Sequence, residues 1–166
     1  ELVITGNSAQ MHDPDFVAEL KQWVRFTPRQ ALATGDGLNG ACLGSPAAPA
    51  WIGKLLFGLL YSVDAETEKY RRQMASSAGC FVLVAGSNGP AGWVAAGRAY
   101  QRLALRATAL GLKNAFVYQA VEHPDTRSEL AGMIGMPDRR PNLVFRVGRA
   151  SAMPYSLRRP VAPLMD

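Results

Sequence analysis

Histidine and cysteine are scarce: His12, His123, Cys42 and Cys80 are the only ones among 166 residues. No C-x-x-C and no paired histidines occur, so the ligand sets of a structural zinc and the Cys-His pair of a thiol nucleophile are both excluded. Two isolated cysteines read as small apolar residues of a reduced protein. Long hydrophobic runs are missing too. WIGKLLFGLLY, broken by Lys54, reaches about half of the ~20 residues that a membrane span needs. No basic-apolar-small leader opens the chain. Nor is there a Lys/Arg block with interleaved aromatics. Fourteen of the 18 basic residues are Arg and the net charge is +5, yet most sit among Asp and Glu, as in DAETEKYRRQ and PDTRSEL. That pattern is a solvated surface rather than a nucleic-acid face. One local concentration stands apart: Arg146, Arg149, Arg158 and Arg159.

Several chemistries fall on the same ground. Gly35-Asp36-Gly37-Leu38-Asn39-Gly40 lacks the Lys-Ser/Thr of a P-loop and the terminal Glu of a calcium loop. Ser76-Ser77 have no recognisable His or acid partner, so no hydrolase motif exists. Glu122 and His123 are adjacent, which is weak grounds for an acid/base pair. No catalytic side chain and no metal ligand is assigned.

What remains is an ordinary globular composition, 48% hydrophobic and 19% charged, in a chain long enough for one domain with a real core. ELVIT at residues 1–5 reads as a short strand. Asp13-Pro14 reads as a cap with Pro in the first turn, and Phe16, Val17, Leu20, Trp23 and Val24 give helical spacing over 14–25. Thr27-Pro28 ends that helix. Residues 31–50 are rich in Gly, Ala, Pro, Asn and Ser, an irregular excursion that is either a lid or simply mobile. Residues 51–61 read as a short apolar helix, packed within its own domain or over a pocket or partner.

The second half is more regular. Asp64 caps an exposed helix over 65–76, and GCFVLVA at 79–85 is a buried strand followed by the turn GSNGP. Residues 92–110 form the clearest helix. Trp93, Ala96, Gly97, Tyr100, Leu103, Ala104, Ala107 and Leu110 make one apolar face, Arg98, Arg102 and Arg106 lie opposite, and Gly111 stops it. Residues 114–119 are extended, 124–134 helical, and 142–147 a buried strand ending at Gly148. The tail, with Pro154, Pro160 and Pro163, is extended. Strands with helices between them make a layered α/β or α+β domain.

Two groups could meet an anionic phosphoester ligand. Arg158 and Arg159 offer planar forks for phosphate oxygens, though arginines beside prolines are equally a solvated tail. Extended residues 114–119 could leave backbone donors for a ring such as a flavin, with Tyr118 and Gln119 adding a phenol and an amide. Alternatively, Phe116 and Tyr118 are sheet-core residues and nothing more.

The run from Gly92 to Pro160 carries a resemblance. GWVAAGRAYQRLALRATALGL, then NAFVYQAVEH, the turn GMPDRRP, the strand NLVFRVGR and the tail MPYSLRRPV resemble, in order and spacing, the C-terminal part of the nitroreductase family. The likeness is to its longer, atypical Acg-like and export-signal-bearing members. It implies an α+β fold, an α-β-α sandwich holding FMN at an interface between two similar halves. It implies an oxidoreductase that uses NADH or NADPH to reduce nitro or quinone-like acceptors. It puts Tyr118 and Gln119 at the flavin N5 edge, as backbone donors, and Arg158 at the FMN phosphate. The neighbouring basic position of typical members is Ser156, which transfers weight to Arg159. The family's opening Arg-Arg-Ser-x-Arg motif has no counterpart, so the chain is expected to be the C-terminal part of a longer protein, with a lid-like excursion at about 27–62. A start at Glu1 without Met agrees, as would an arbitrary boundary. Partners implied are FMN, NAD(P)H and a second half or a homodimer mate, without nucleic acid or membrane. The compartment implied is the cytoplasm, or the periplasm if a preceding segment carries an export signal. Two alternatives stay open: a flavin-sequestering protein with little turnover, and a cofactor-free dimerisation half.

Overall fold

In the computed structural model, residues 1–43 and 63–157 are described. They fall into two compact units, one of Glu1–Asp13 with Val63–Ser151, the other of Pro14–Ser62 with Ala152–Asp166. The expected helix at 51–61 lies outside the described residues, as do Arg158 and Arg159.

The larger unit is α+β. Its sheet has the strands β3 (Gly79–Val84), β4 (Lys113–Phe116) and β5 (Pro141–Gly148), in the order β3-β5-β4. The last strand is central and antiparallel to both neighbours, with Phe81 opposite Phe145 and Phe116 opposite Phe145 from the other side. β3 and β4 are therefore parallel to each other. Joining parallel strands needs a long crossover, here α5 (Pro90–Ala109), which packs on all three strands. Pro90 opens α5 in the position where a missing N–H costs nothing. Gly111, at φ +70°, ends its turn in the left-handed region, as its sequence position predicts.

Strand alternation sorts the side chains. Phe145, Phe81 and Phe116 face α5, where Tyr100 meets the rings of Phe116 and Phe145 at 4.4 and 5.1 Å. Val144 and Val82 face the other way and join Val3, Val117, Ala120, Val121 and Leu130 in the apolar core. That second face is built by α1 (Leu2–His12), α4 (Val63–Ala75), α6 (Gln119–Glu122) and α7 (Pro124–Met133).

Residues 2–5 are thus helical, not part of the strand that ELVIT suggests. Val3, Gly6, Asn7 and Gln10 recur at helical spacing, and this seam lies on α6: Gly6 touches the Gln119 backbone and Gln10 hydrogen-bonds Glu122. A Cβ on Gly6 would sit 2.3 Å from the Gln119 carbonyl oxygen, so only glycine allows this approach. Tertiary contact overrides the β-preference of Val3, Ile4 and Thr5. Asp13 closes α1, immediately before Pro14 opens the next helix.

Two further expectations change. β3 is not buried: Phe81 is 44% exposed, because an edge strand has a neighbour on one side only. The apolar face expected on α5 is half-open. Gly92 and Ala96 are buried, Tyr100, Leu103, Ala104 and Ala107 half-buried, and Trp93, Gly97 and Leu110 exposed.

In the smaller unit, α2 (Pro14–Trp23) leads into β1 (Val24–Arg25), α3 (Pro28–Thr34), β2 (Leu38–Asn39) and a 3₁₀ turn at Gly40–Leu43. The irregular excursion expected from residue 31 is ordered as far as Leu43. Thr27 makes this possible: its Oγ1 accepts from Gln30 N–H at 3.1 Å, and Pro28 starts the helix. Arg25 bonds Asp36 at 2.7 Å and the Gln22 carbonyl at 2.6 Å, fixing the parallel pairing of Val24 with Leu38. The rest of the lid-like region, 44–62, lies outside the described residues.

Candidate functional site

The chain pivots at residues 117–119. Asn114 to Phe116 pair with β5, and Val117 N–H donates to the Val144 carbonyl at 3.0 Å, so the ladder runs one residue past β4. Tyr118 then takes helical backbone angles as the cap of α6, and Gln119 is its first residue. The extended backbone expected across 114–119 therefore ends at Val117. Up to Val117 alternate amides bond β5, since β4 is an edge strand, and from Tyr118 the backbone turns into a helix whose Val121 N–H returns to the Tyr118 carbonyl at 2.7 Å.

Tyr118 is half-buried and stacks on Phe116, with centroids 4.4 Å apart and planes 18° from parallel. Its phenol is held above the ordinary range, chiefly by burial and then by the nearby Tyr100 and Glu122. Tyr100 is likewise raised by burial, and its hydroxyl donates to Asn114 Oδ1 at 2.7 Å. Phe116, Tyr118 and Tyr100 thus form a continuous aromatic surface at the β4 edge, and Phe116 is 39% exposed.

Gln119 presents a different chemistry. Its amide oxygen is buried and accepts no hydrogen bond, and the Nδ2 of buried Asn7 on α1 likewise lacks a partner. A buried polar atom without a partner costs about 1–3 kcal/mol, and such atoms stand out because most are satisfied. His123 Nδ1 is a third, 3.9 Å from Asp125 Oδ2. Arg127 braces the segment by donating to the Val121 and Glu122 carbonyls at 2.6 and 3.0 Å. The sequence held one overlooked signal for this locus, the Val3-Gly6-Asn7-Gln10 seam that brings α1 onto it.

Two of the four arginines concentrated near the end of the sequence are described. Arg146 lies half-buried on the central strand, with Nη1 3.5 Å from Ser77 Oγ and a buried Nε without a partner. Arg149 is exposed beyond β5. Arg158 and Arg159 lie outside the described residues, so a meeting of Tyr118 and Gln119 with the tail arginines is not observed. In the smaller unit a cavity of about 480 Å³ is lined by Phe16, Glu19, Leu20, Trp23, Gly37 and Leu38, none of them a predicted site residue. Among the described residues no three His, Cys, Asp or Glu side chains converge as metal ligands, and no helix is long and apolar enough to cross a membrane.

Comparison with family models, with curated proteins and with solved structures yields no match for this chain.

Proposed function

We propose that this chain is part of an FMN-dependent oxidoreductase of nitroreductase type, with Tyr118 and Gln119 at the flavin ring and Arg158, aided by Arg159, at its phosphate. The observation that carries the reading is the Gln119 amide oxygen, a buried acceptor without a donor at the place where the resemblance puts the ring's N5 edge. Oxidised N5 accepts, so this oxygen would pair with the ring's N3–H, its one N–H donor, and on that edge the residues suit the group. Bound there, FMN would supply the two-electron chemistry between NADH or NADPH and a nitro or quinone-like acceptor. The chain's own part is positional. The Phe116–Tyr118 stack supplies a flat apolar surface, and the α1 seam holds the Gln119 backbone against Gly6. No side-chain acid, base or nucleophile is required, in keeping with the scarcity of His and Cys.

The test is titration of the protein with FMN, followed by flavin fluorescence and by the visible band near ~450 nm. Gln119→Leu is expected to stabilise the ligand-free fold by about 1 kcal/mol, since it removes a buried unsatisfied acceptor. It is expected to weaken FMN binding about tenfold. Arg158→Ala, on the resemblance, loses about ten- to a hundredfold. Equal affinity in wild type and both variants sinks the reading. Tight binding without NAD(P)H turnover would leave a flavin-sequestering protein in its place.

A further inference from the structure

A second locus stands on side chains that the flavin reading does not use. β3 and β4 run parallel, so the C-terminal end of β3 lies at the same end of the sheet as the β4 exit, across β5. There the loop Ala85, Gly86, Ser87 and Asn88 faces the turn Asp138, Arg139 and Arg140 over a cleft of about 230 Å³. A water takes about 30 Å³ of liquid volume, so the cleft accommodates a tetrahedral anion and part of its hydration shell.

The donors outnumber the acceptors. Arg139 Nη2 donates to the Ala85 carbonyl at 2.9 Å, which ties one wall to the other and anchors the guanidinium. One donor of five is spent, leaving four N–H groups of the fork. Asn88 is oriented by its neighbour: Trp93 Nε1 lies 3.1 Å from its side-chain oxygen. An indole N–H only donates, so the atom facing it must be the amide oxygen, and the Asn88 NH₂ is left to donate elsewhere. Ser87 adds a hydroxyl, and Arg140 a second guanidinium. Among the described residues neither arginine forms an ion pair with a carboxylate, including their neighbour Asp138. The excess positive charge is felt nearby, where Arg140 adds to burial in lowering the Arg127 pKa.

We propose that this cleft binds a phosphate group, with Arg139 and Arg140 on its oxygens and Ser87 and Asn88 as neutral donors. Fork-shaped guanidiniums suit phosphate oxygens better than spherical halides. Asp138 opposes a free dianion and suits a ligand whose own hydroxyl can donate to it. The site therefore discriminates between inorganic phosphate and a phosphate monoester of a hydroxylated molecule.

Calorimetric titration of the whole chain in chloride buffer of low ionic strength tests this, with inorganic phosphate in one arm and ribose 5-phosphate in the other. Saturable binding is expected in both, tighter for the sugar phosphate. Arg140→Ala should weaken each about tenfold, the loss of one charge-assisted contact. Asp138→Asn should tighten inorganic phosphate severalfold and remove the preference for the sugar ester. Arg98→Ala, an exposed arginine on α5 outside the cleft, should change nothing, and Gln119→Leu should leave the phosphate titrations intact, which separates this site from the flavin reading. Absence of saturable binding, or equal losses in Arg140→Ala and Arg98→Ala, overturns the proposal. Retained circular dichroism in Arg140→Ala confirms that the variant folds.

Discussion

The two faces of the three-stranded sheet are finished differently. Against α1, α4, α6 and α7 the sheet is closed, with Val3, Val117, Val121, Leu130 and Val144 all buried. Against α5 it is only half covered. Phe145 is buried at 1% exposure, while Phe81 and Phe116, its partners on either side, are each about two-fifths exposed. The closed face is drawn together by backbone contact, Gly6 on Gln119, beside which two buried amide groups lack partners. The other is built of flat rings that pair at their faces and edges and leave their rims in water. Close contact yields stability; the aromatic layer yields an accessible surface. Both candidate ligand groups lie where that difference is sharpest, at the ends of β3 and β4.

Substitutions can break or sharpen this contrast. The largest effect is expected from Phe145→Ala, which removes the one ring that both edge phenylalanines lean on. It should cost about 3–5 kcal/mol in a urea melt. A loss below ~1 kcal/mol would mean that the α5 face carries little of the fold. Next come two glycines, each inside a helix but on opposite sides of the sheet. Gly6→Ala drives a methyl into the Gln119 carbonyl and should cost about 1–3 kcal/mol. Gly97→Ala meets nothing within 4 Å and lies exposed on α5, so it should stabilise by about 0.5–1 kcal/mol. Opposite signs in a thermal melt support the comparison, and equal signs remove it. The smallest effect is a pH dependence. Tyr100 and Tyr118 are raised in the folded chain by burial, whereas the unfolded chain ionises near the ordinary pKa of about 10. Above that pH the unfolded state binds fewer protons than the folded one, so stability falls as pH rises. Tyr118→Phe should flatten that alkaline slope and leave stability at neutral pH nearly unchanged.

The sequence pattern was most legible where local signals and packing agree. The helix before Gly111, the helix opened by Pro124 and the strand ending at Gly148 all stand close to their expected limits. It misled where a distant neighbour decides. Leu2–His12 looks extended by residue type, yet its helical form depends on α6, more than a hundred residues away in the chain, as the Gln10–Glu122 contact shows. The apolar run of β3 does not reveal that it ends up at a sheet edge. Around the candidate site, the extended run up to Val117 was legible and the helical turn at Tyr118 was not, because that turn is set by the packing of α6 against α1. The cleft at Ser87, Asn88, Arg139 and Arg140 left only a turn signal in the sequence, GSNGP, and an arginine pair. Nothing local says that the two meet.

The central placement of β5 also has a consequence for how the chain is made. Synthesis delivers β3 first, then α5 and β4, and these two strands have no ladder to form with each other. Until residues 141–148 emerge, each is a lone extended segment with apolar rings, and the Ala85 N–H must wait for Asn142, 57 residues later, to supply its 2.7 Å bond. Pairings of such range close slowly, because loop entropy is lost before contacts repay it. A nascent chain halted near residue 140 would hold its helices without the three-stranded sheet, a species prone to association through unpaired strand edges. The last strand to arrive is the one that closes the sheet.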